Sequence, residues 1–452
     1  MIVSKFGGTS VADAEAIIRT TEIVRGRLPR RPIVVVSAMA GATNALLGIA
    51  RQASDGNFIS AVSSVQGLRD RHLTEIDTLL SGSGEHGDVA AEVSAIFDEL
   101  ASLCEALSVL GFITPRSLDA IAGMGERASS MIVAASFRAR GIDAVHVDAR
   151  KVMITDGTFG KAEPQAEAIS LAARTHLAPL VNEGRVPVMG GYIGSSTDGI
   201  TTTLGRGGSD YSASLIGAGL QAESIEIWTD VDGMLTADPR VVPGARPIEQ
   251  IRFDEASELA SFGAKVLHPA TIAPAVRLNI PVWIYNSHNP RAHGTRITFD
   301  APRRAVTAIA AKRDTTILRV ATGRMLFQHG FLRRVFELFD EHAVSVDVVA
   351  TSEVSVSVTV DDSAPLDLLM GALRQIGDVS VERRRAIVSV VGSGICDDAE
   401  TMGAVLRALG HRRVHMLSLS ASAINLTILL DDADVPDAMR ALHAALFEGC
   451  AL

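Results

Sequence analysis

The sequence predicts an α/β protein in which an αβα layered domain with a mainly parallel sheet precedes two smaller α+β modules of ferredoxin-like type. Nearly continuous runs of β-branched residues at 32–36, 186–189 and 225–229 are typical of strands buried on both faces of a parallel sheet. As far as about residue 300, these runs alternate with stretches of helical periodicity. An internal repeat in the remaining residues predicts the two modules.

The C-terminal repeat consists of residues 344–358 and 414–428, which align without gaps. Each copy has a helical stretch before it and another after it, which predicts a βαββαβ arrangement. Residues 55–110 contain no strand-like run and predict an inserted helical hairpin with its turn at 81–84. We therefore place the layered domain at 1–298, the first module at 313–385 and the second module at 386–452.

Composition limits the class of protein. With 452 residues, of which 47% are hydrophobic and 4% aromatic, the chain fits two or three domains with aliphatic α/β cores. A formal net charge of −10 disfavours nucleic acid or an anionic membrane as a partner. Cys104, Cys396 and Cys450 are far apart and show no metal-binding spacing, which favours a reducing compartment. Since we find neither a signal peptide nor an apolar run that could span a bilayer, we expect a soluble, cytoplasmic protein.

The first motif, Lys5-Phe6-Gly7-Gly8-Thr9-Ser10, lies between an apolar strand and a helix. Ser10 and Asp13 fit a helix N-cap signature, so the glycines are expected where free backbone N–H groups could bind an anion. A second glycine-rich stretch, Gly205 to Asp210, also leads into a helix. The alternative for the first motif is an ordinary tight turn with a surface lysine. Two such helix starts in one α/β domain favour a polyphosphate ligand.

A third stretch, 228–233, ends a predicted strand and is followed by Thr236, Asp238 and Arg240. Ligands of open α/β sheets bind at the carboxyl ends of the strands, which makes these hydroxyl, carboxylate and guanidinium groups candidates for nucleotide contact. The plainer interpretation is that Asp238-Pro239 forms only a turn.

Five motifs occur in a characteristic order along the chain: Lys5–Ser10, Gly125–Arg127, Gly205–Asp210, Thr229–Gly233 and Phe262–Pro269. Together they resemble the aspartate kinase (aspartokinase) family over essentially the whole chain, and the repeat resembles its paired ACT regulatory modules. The resemblance implies an amino-acid kinase fold for the layered domain. It also implies ATP-dependent phosphorylation of the L-aspartate side-chain carboxylate to 4-phospho-L-aspartate, the first step of lysine, threonine and methionine biosynthesis.

The resemblance assigns roles to the charged residues of these motifs. Lys5 would stabilise the transferring phosphoryl group, and Asp210 would orient the lysine and the substrate. Arg206 would bind the α-carboxylate of aspartate with its bidentate fork, and Glu126 would bind the α-ammonium. Two hydroxyl residues match further substrate-proximal positions: Ser37 and Thr43. The alternatives are strand-end capping for these two hydroxyls, and a surface ion pair on a helix for Glu126-Arg127.

For the nucleotide, the resemblance implies a site built from backbone N–H groups and polar side chains. Many family members have tyrosine where this chain has Leu235, so an aromatic contact is replaced by an aliphatic one. Mg²⁺ is expected to be bridged mainly by the phosphates of ATP, and no site made of protein ligands alone is predicted for a metal. The expected nucleotide-contacting residues are Gly7, Gly8, Thr9, Thr229, Asp230, Leu235, Arg240 and Lys265, together with Lys5.

A comparison of the two repeat copies points to a regulatory ligand. Asp347 and Glu353 in the first copy correspond to Leu417 and Ala423 in the second, so only the first copy carries the charges. Two acidic side chains suit a ligand with a spare ammonium group, and the segment resembles lysine-sensitive aspartate kinases; the alternative is a pair of solvated edge-strand charges. Gln328 replaces a serine found in some lysine-inhibited members. The expected lysine-binding residues are Met325, Phe331, Ser345, Val346, Asp347, Thr351, Ser352 and Glu353.

The resemblance further implies a homodimer formed through the ACT modules, with the strand at 305–312 belonging to the second module. Two other functions stay open at the level of the sequence. One is a kinase for a different amino acid, such as glutamate or acetylglutamate, which Glu126 and the complete motif from Gly205 to Asp210 disfavour. The other is a non-catalytic amino-acid sensor, which the intact Lys5, Arg206 and Asp210 disfavour.

Overall fold

The computed structural model describes residues 1–263, 269–323, 329–362, 364–420 and 422–448. Lys265, Met325 and Gln328 lie outside the described residues. The chain divides into two compact units, which we call the N-terminal unit and the C-terminal unit. The N-terminal unit comprises Met1–Met234, Glu249–Phe253 and Val266–Ala301, and the C-terminal unit comprises Leu235–Ile248, Asp254–Lys265 and Pro302–Leu452.

The N-terminal unit is built on an eight-stranded sheet in the order β3-β5-β2-β1-β8-β10-β11-β9. All neighbouring strands are parallel except β10 and β11, as expected for β-branched strands covered on both faces. A smaller sheet has the order β4-β6-β7. The strands are β1 (Ile2–Phe6), β2 (Pro32–Val36), β3 (Ala144–His146), β4 (Ile154–Thr155), β5 (Val186–Gly190), β6 (Ile193–Ser196), β7 (Thr201–Thr203), β8 (Ser224–Thr229), β9 (Gln250–Ile251), β10 (Val282–Asn286) and β11 (Thr295–Ile297).

The helices of the N-terminal unit supply its apolar core. The segment predicted as a helical hairpin forms two long helices, α3 and α4, which pack against each other. Their buried faces belong to the same core as residues of β2 and α6. The helices are α1 (Ala14–Arg27), α2 (Ala42–Ser54), α3 (Phe58–Leu80), α4 (His86–Leu110), α5 (Pro115–Ala122), α6 (Met124–Ala139), α7 (Ala166–His176), α8 (Ala178–Asn182), α9 (Gly208–Leu220) and, after α10 of the C-terminal unit, α11 (Pro269–Arg277).

The two central strands, β1 and β8, carry different chemistry on their two faces, because successive side chains in a strand alternate. One face is covered by α9, where Gly217 lies so close that an added Cβ would be 2.8 Å from the Ile225 side chain. On the other face the fully buried Glu226 accepts hydrogen bonds from Arg27 at 3.0 Å and from Arg30 at 2.9 Å. The indole of Trp228 donates to the same carboxylate at 3.1 Å. This buried carboxylate therefore ties β8 to the C-terminal end of α1 and the residues just after it.

The C-terminal unit contains a six-stranded antiparallel sheet in the order β13-β14-β12-β15-β17-β16. Two apolar cores, each with its own pair of helices, fill the two halves of the unit. The strands are β12 (Ala308–Ala321), β13 (Val349–Thr351), β14 (Ser355–Asp361), β15 (Asp378–Val391), β16 (Met416–Leu419) and β17 (Asn425–Asp431). The helices are α10 (Phe253–Ser261), α12 (Phe331–Glu341), α13 (Leu366–Leu373), α14 (Ala399–Leu409) and α15 (Val435–His443).

Two long strands, β12 and β15, run through both halves of this sheet. Residues 308–312 of β12 pair with 387–391 of β15, which lie in the second module. After a register shift, residues 317–321 of β12 pair with 378–382 of β15 and also with β14, all within the first module. The first half of β12 thus supplies the strand that completes the second module.

The segment Leu235–Ile248 groups with the C-terminal unit, although it precedes residue 298. Its apolar side chains Ala237 and Val242 are buried in the core that also contains residues of α14 and α15. This segment includes Leu235 and Arg240, two of the residues that the resemblance assigns to the nucleotide. The sequence did not indicate this grouping, because apolar periodicity does not identify the core in which a short segment is buried.

Candidate active site

Lys5 lies near the C-terminal end of β1, in the middle of the eight-stranded sheet, and is 9% exposed. Its Nζ is 2.7 Å from Oδ1 of Asp210. Asp210 lies in the first turn of α9, where the partial positive charge of the helix N-terminus also favours a carboxylate. Two motifs that lie far apart in the sequence are therefore in direct contact.

The glycine corner after β1 differs from the prediction. The first helix begins at Ala14, and its N-cap is Asp13, whose side chain accepts the N–H of Ala16. The prediction that Ser10 caps this helix was wrong, because Ser10 uses its hydroxyl to contact the carbonyl of Trp228 and the hydroxyl of Ser287 instead.

The N–H of Gly7 is also engaged, since it donates to the carbonyl of Trp228 at 3.0 Å. This N–H is therefore not free in the structure, and a contact between Gly7 and the nucleotide stays a prediction. The N–H groups of Gly8 and Thr9 are left as candidates at this corner. A Cβ on Gly8 would lie 3.1 Å from the carbonyl oxygen of Ala38, so glycine allows the strand ends of β1 and β2 to approach each other.

Glu126 is buried in the first turn of α6 and is 3% exposed, so it is not a surface residue. Its Oε2 has no hydrogen-bond partner among the residues that the structure describes. Burial raises the pKa of Glu126 to about 8, although a backbone hydrogen bond from Ala38 and the charge of Lys5 act in the opposite direction. A buried carboxylate oxygen without a partner indicates a position at which a ligand cation could bind.

Glycine packing holds this carboxylate at the end of the sheet. A Cβ on Gly190, the last residue of β5, would lie 3.0 Å from Glu126 itself. A Cβ on Gly125 would lie 2.8 Å from the side chain of Ala38, just after β2. Arg127, in contrast, pairs with the half-exposed Glu99 at 2.9 Å, so the surface-pair interpretation applies to Arg127 and not to Glu126.

The other expected aspartate-binding residues lie on loops and helix starts of the same unit. Ser37 follows β2, donates its N–H to the carbonyl of Phe6 at 3.0 Å and accepts a bond from Ser129 at its own carbonyl. Thr43 is inside α2, whose N-cap is Gly41, so its side chain does not cap the helix. Arg206 is exposed just before α9, and its guanidinium has no ion-pair partner in the described part of the chain.

The expected nucleotide-contacting residues are divided between the two units. In the N-terminal unit, Thr229 ends β8 and its hydroxyl donates to the exposed carboxylate of Asp230 at 3.1 Å. In the C-terminal unit, Leu235 is half-buried, and Arg240 donates to both oxygens of Asp238. These bonds hold the pKa of the Asp238 carboxyl below its usual value.

Asp119 is a residue that the sequence analysis missed. It is 2% exposed on α5, and its carboxylate accepts the N–H and the hydroxyl of Thr203 and the N–H of Gly160. It therefore fixes the end of β7, from which the loop carrying Arg206 starts. The sequence did contain a signal for Asp119, since it is an acidic residue on the apolar face of an amphipathic helix. An aspartate that is buried in this way has to be hydrogen-bonded.

In the expected effector region, Asp347 already holds an ammonium group from its own chain. Nζ of Lys312 lies 2.8 and 2.7 Å from the two carboxylate oxygens of Asp347 and 2.8 Å from Asp361. Burial lowers the pKa of Lys312, but the bonds to the two aspartates outweigh it, so the pKa lies above the usual lysine value. Asp347 thus forms an ion pair with an alkylammonium group of its own chain in this structure.

The remaining effector candidates that the structure describes all lie in the first module. Phe331 is buried in the apolar core at the start of α12, so most of its side chain contacts that core. Val346 is half-buried against the same core. The others are exposed; Ser345 precedes β13, Thr351 ends it, and Ser352 and Glu353 follow it.

In the described part of the chain, no group of three or more His, Cys, Asp or Glu residues is arranged to hold a metal ion. Nor does any helix among the described residues have the length and apolar character needed to cross a membrane.

Comparison with known proteins decides the family. The pattern of the amino acid kinase family matches residues 1–286, and the pattern of the ACT domain matches residues 388–446. Over 459 residues, the chain is 37% identical to lysine-sensitive aspartokinase 3 of Escherichia coli (strain K12), covering 99% of each chain. This chain belongs to the aspartokinase family.

Solved structures of an aspartokinase agree with this membership. Aspartokinase III of E. coli in complex with aspartate and ADP, in its R-state, matches with a TM-score of 0.85 at 37% identity, covering 99% of this chain and 100% of the other. The same enzyme in complex with lysine and aspartate, in its T-state, matches with a TM-score of 0.84, covering 99% of both chains. The predicted amino-acid kinase fold with a C-terminal ACT region is therefore confirmed for this aspartokinase family member.

Proposed function

We propose that this chain is an aspartokinase that transfers the terminal phosphoryl group of ATP to the side-chain carboxylate of L-aspartate. The observation that carries the proposal is the buried ammonium of Lys5, fixed by Asp210 at the carboxyl end of the central strand. The E. coli relative bound to aspartate and ADP supports both the acceptor and the nucleotide.

The chemistry requires positive charge and positioning rather than a base. The acceptor carboxylate is already ionised at neutral pH, and the barrier comes largely from bringing two anions together. Lys5 would stabilise negative charge on the transferring group from a site with little water, where such stabilisation is strong. Mg²⁺ would be held mainly by the phosphates of ATP and would neutralise further charge.

Glu126 and Arg206 would fix the amino-acid end of the substrate. The unpartnered oxygen of Glu126 is suited to the α-ammonium, and the exposed fork of Arg206 is suited to the α-carboxylate. Ser37 would contact the substrate from the carboxyl end of β2, and Thr43 would contact it from the start of α2. Because the substrate ammonium meets a carboxyl group that is largely protonated at neutral pH, binding of aspartate would release a proton.

We propose lysine as the feedback inhibitor, bound through Asp347 and its neighbours in the first ACT module. The E. coli relative solved with lysine supports this assignment. Lys312 shows that Asp347 can bind an alkylammonium. An effector ammonium would therefore have to compete with Lys312 for the carboxylate.

A homodimer through the ACT modules is part of the same proposal. Both edge strands of the six-stranded sheet carry half-exposed apolar side chains, namely Val349 on β13 and Leu417 and Leu419 on β16. Such edges have free backbone donors and acceptors that can pair with a second chain. Light scattering on the purified protein tests the dimer. The cytoplasmic location stays a prediction.

The proposed reaction is tested with the purified chain, ATP and Mg²⁺. ADP release is followed by a coupled assay with L-aspartate, L-glutamate or N-acetyl-L-glutamate as acceptor, and the acyl phosphate is trapped with hydroxylamine. We expect ADP release and hydroxamate formation with L-aspartate only, and a decrease in both when lysine is added. Turnover with another acceptor but not with aspartate would contradict the proposal.

A further inference from the structure

The loop that carries Arg240 is closed by Thr236. The N–H of Thr236 donates to the carbonyl of Arg246 at 2.9 Å, and its hydroxyl accepts the N–H of Arg246 at 2.8 Å. Leu235 and Pro247 form an isolated bridge beside this contact. The two ends of the loop are thereby held together at Thr236, and Asp238 orients Arg240 within the loop.

Thr236 is in turn held by the last helix of the C-terminal unit. Its hydroxyl lies 3.0 Å from Nε2 of His443, which is fully buried. Nδ1 of the same imidazole lies 3.0 Å from Oε1 of Glu448. A carboxylate only accepts, so Nδ1 carries a proton, and in the neutral imidazole Nε2 then accepts the hydroxyl proton of Thr236. The result is a continuous chain of hydrogen bonds that runs from the N–H of Arg246 to the carboxylate of Glu448.

Two further hydrogen bonds connect the same loop to the six-stranded sheet and to α15. The N–H of Ile309 on β12 donates to the carbonyl of Thr236 at 2.8 Å. The guanidinium of Arg440 on α15 donates to the carbonyl of Val241 at 3.3 Å. Ile309 is only three residues from Lys312, which binds Asp347 in the expected effector region.

We propose that His443 is a positioning residue for the nucleotide: through Thr236 it sets the conformation of the loop that presents Arg240. The inference rests on the proposed function and on the expectation from the family resemblance that Leu235 and Arg240 contact ATP. It adds that the second ACT module affects nucleotide affinity through Thr236, by means of a side chain that touches neither substrate. The affinity for aspartate does not depend on this contact.

Two substitutions at the same position separate the two bonds of His443. The amide of asparagine occupies the place of Nδ1, so H443N retains the bond to Glu448 and loses the bond to Thr236. The amide of glutamine reaches the place of Nε2, so H443Q retains the bond to Thr236.

We expect H443N to weaken ADP binding, measured by calorimetry, about fivefold and to raise the KM for ATP similarly, as the loss of one net hydrogen bond implies. H443Q should restore ADP binding, and neither variant should change the KM for aspartate.

A second buried histidine of the same unit provides the matched control. His415 has a side chain that is 2% exposed and contacts Glu382 and Asp431, away from the loop. H415N should leave the affinity for ADP unchanged. If H443N does not fold, T236V, which lacks the hydroxyl, and T236S, which retains it, make the same comparison from the loop side.

The outcomes separate the inference from the proposed function. Normal aspartate-dependent turnover with equal ADP affinity in the parent, H443N and H443Q would overturn the inference alone. Equal weakening of ADP binding in H443N and H415N would also overturn the inference. The loss of affinity would then follow from replacing any buried histidine of the C-terminal unit. Absence of aspartate-dependent ADP release in the parent would contradict the proposed function instead.

Discussion

The Nζ of Lys5 and the Oδ1 of Asp210 lie 2.7 Å apart, with side-chain exposures of 11% and 15%. The pair joins the carboxyl end of β1 to the first turn of α9. Because the lysine is fixed before any ligand arrives, little reorganisation is needed when negative charge develops beside it. The ion pair therefore fixes the orientation of the Lys5 ammonium group.

Replacing the lysine tests its role in the reaction. We expect K5A to lower kcat by about 10²–10³, the cost of losing one preorganised charge. The variant should keep its circular dichroism spectrum and its dimer. The matched control is K151A, in which an exposed lysine of the same unit is removed, and its kcat should stay within twofold of the parent. Substantial turnover by K5A would show that Lys5 does not stabilise the transferring group.

The pH dependence of aspartate binding tests Glu126. Its pKa of about 8 means that the carboxyl is mainly protonated at neutral pH, and only the carboxylate can pair with an ammonium. We therefore expect kcat/KM for aspartate to rise as the pH approaches about 8 and to level off above it. Calorimetry in buffers of different ionisation enthalpy should detect proton release when aspartate binds below that pH.

The variant E126Q is the control for this profile. It cannot ionise, so its kcat/KM for aspartate should lose the rise with pH and be lower by about tenfold or more, the cost of a charged hydrogen bond. The affinity for ADP should be unchanged. A rise with pH that persists in E126Q would assign the titration to another group.

Lys312 allows a test of the effector site without changing the residues expected to bind lysine. K312M removes the internal ammonium from Asp347, so added lysine no longer competes with it. We expect the concentration of lysine for half-inhibition to fall about two- to fivefold, in line with the modest free energy of a partly exposed ion pair. The adjacent R313M, which breaks the pair between Arg313 and Asp432, should leave the response unchanged. Weaker inhibition of K312M would mean that Lys312 takes part in binding the effector.

The buried Glu226 is expected to stabilise the N-terminal unit. E226Q leaves Arg27 and Arg30 with a neutral partner, and since both arginines are about one third exposed, the free energy of unfolding should fall by about 2 kcal/mol. Both tryptophans of the chain, Trp228 and Trp283, lie in this unit, so fluorescence in urea follows its unfolding. The exposed D143N should change the free energy by less than about 0.5 kcal/mol. A similar loss in both variants would exclude a special role for the buried carboxylate.

Much of the fold could be predicted because its signals are local. Buried parallel strands read as β-branched runs, and β2 and β8 lie where those runs are. The repeat likewise predicted two similar halves in the C-terminal region, and the structure has two apolar cores there. The prediction for Ser10 failed at the same local level, because Ser10 and Asp13 are both good capping residues and only packing against Trp228 and Ser287 decided between them.

The contacts between distant residues could not be predicted from spacing. Nothing in the sequence indicates that Lys312 reaches Asp347, because the pair depends on the side chains that β12 and the start of the next hairpin direct to one face. His443 and Thr236 are separated by 207 positions and read singly as a helix residue and a turn residue. The roles of Lys5, Arg206 and Glu126 came from the family resemblance, and they stay predictions until variants are assayed.

The strands β12 and β15 constrain how this regulatory region can be re-engineered. Each crosses the whole C-terminal sheet, so a gene fusion that exchanges only one ACT half would cut through two central strands and leave their backbone groups unpaired. Chimaeras with a new effector response would have to transplant both halves together. Because residues 235–248 are packed in the same unit, the transplanted piece would also have to match this early segment of the recipient chain.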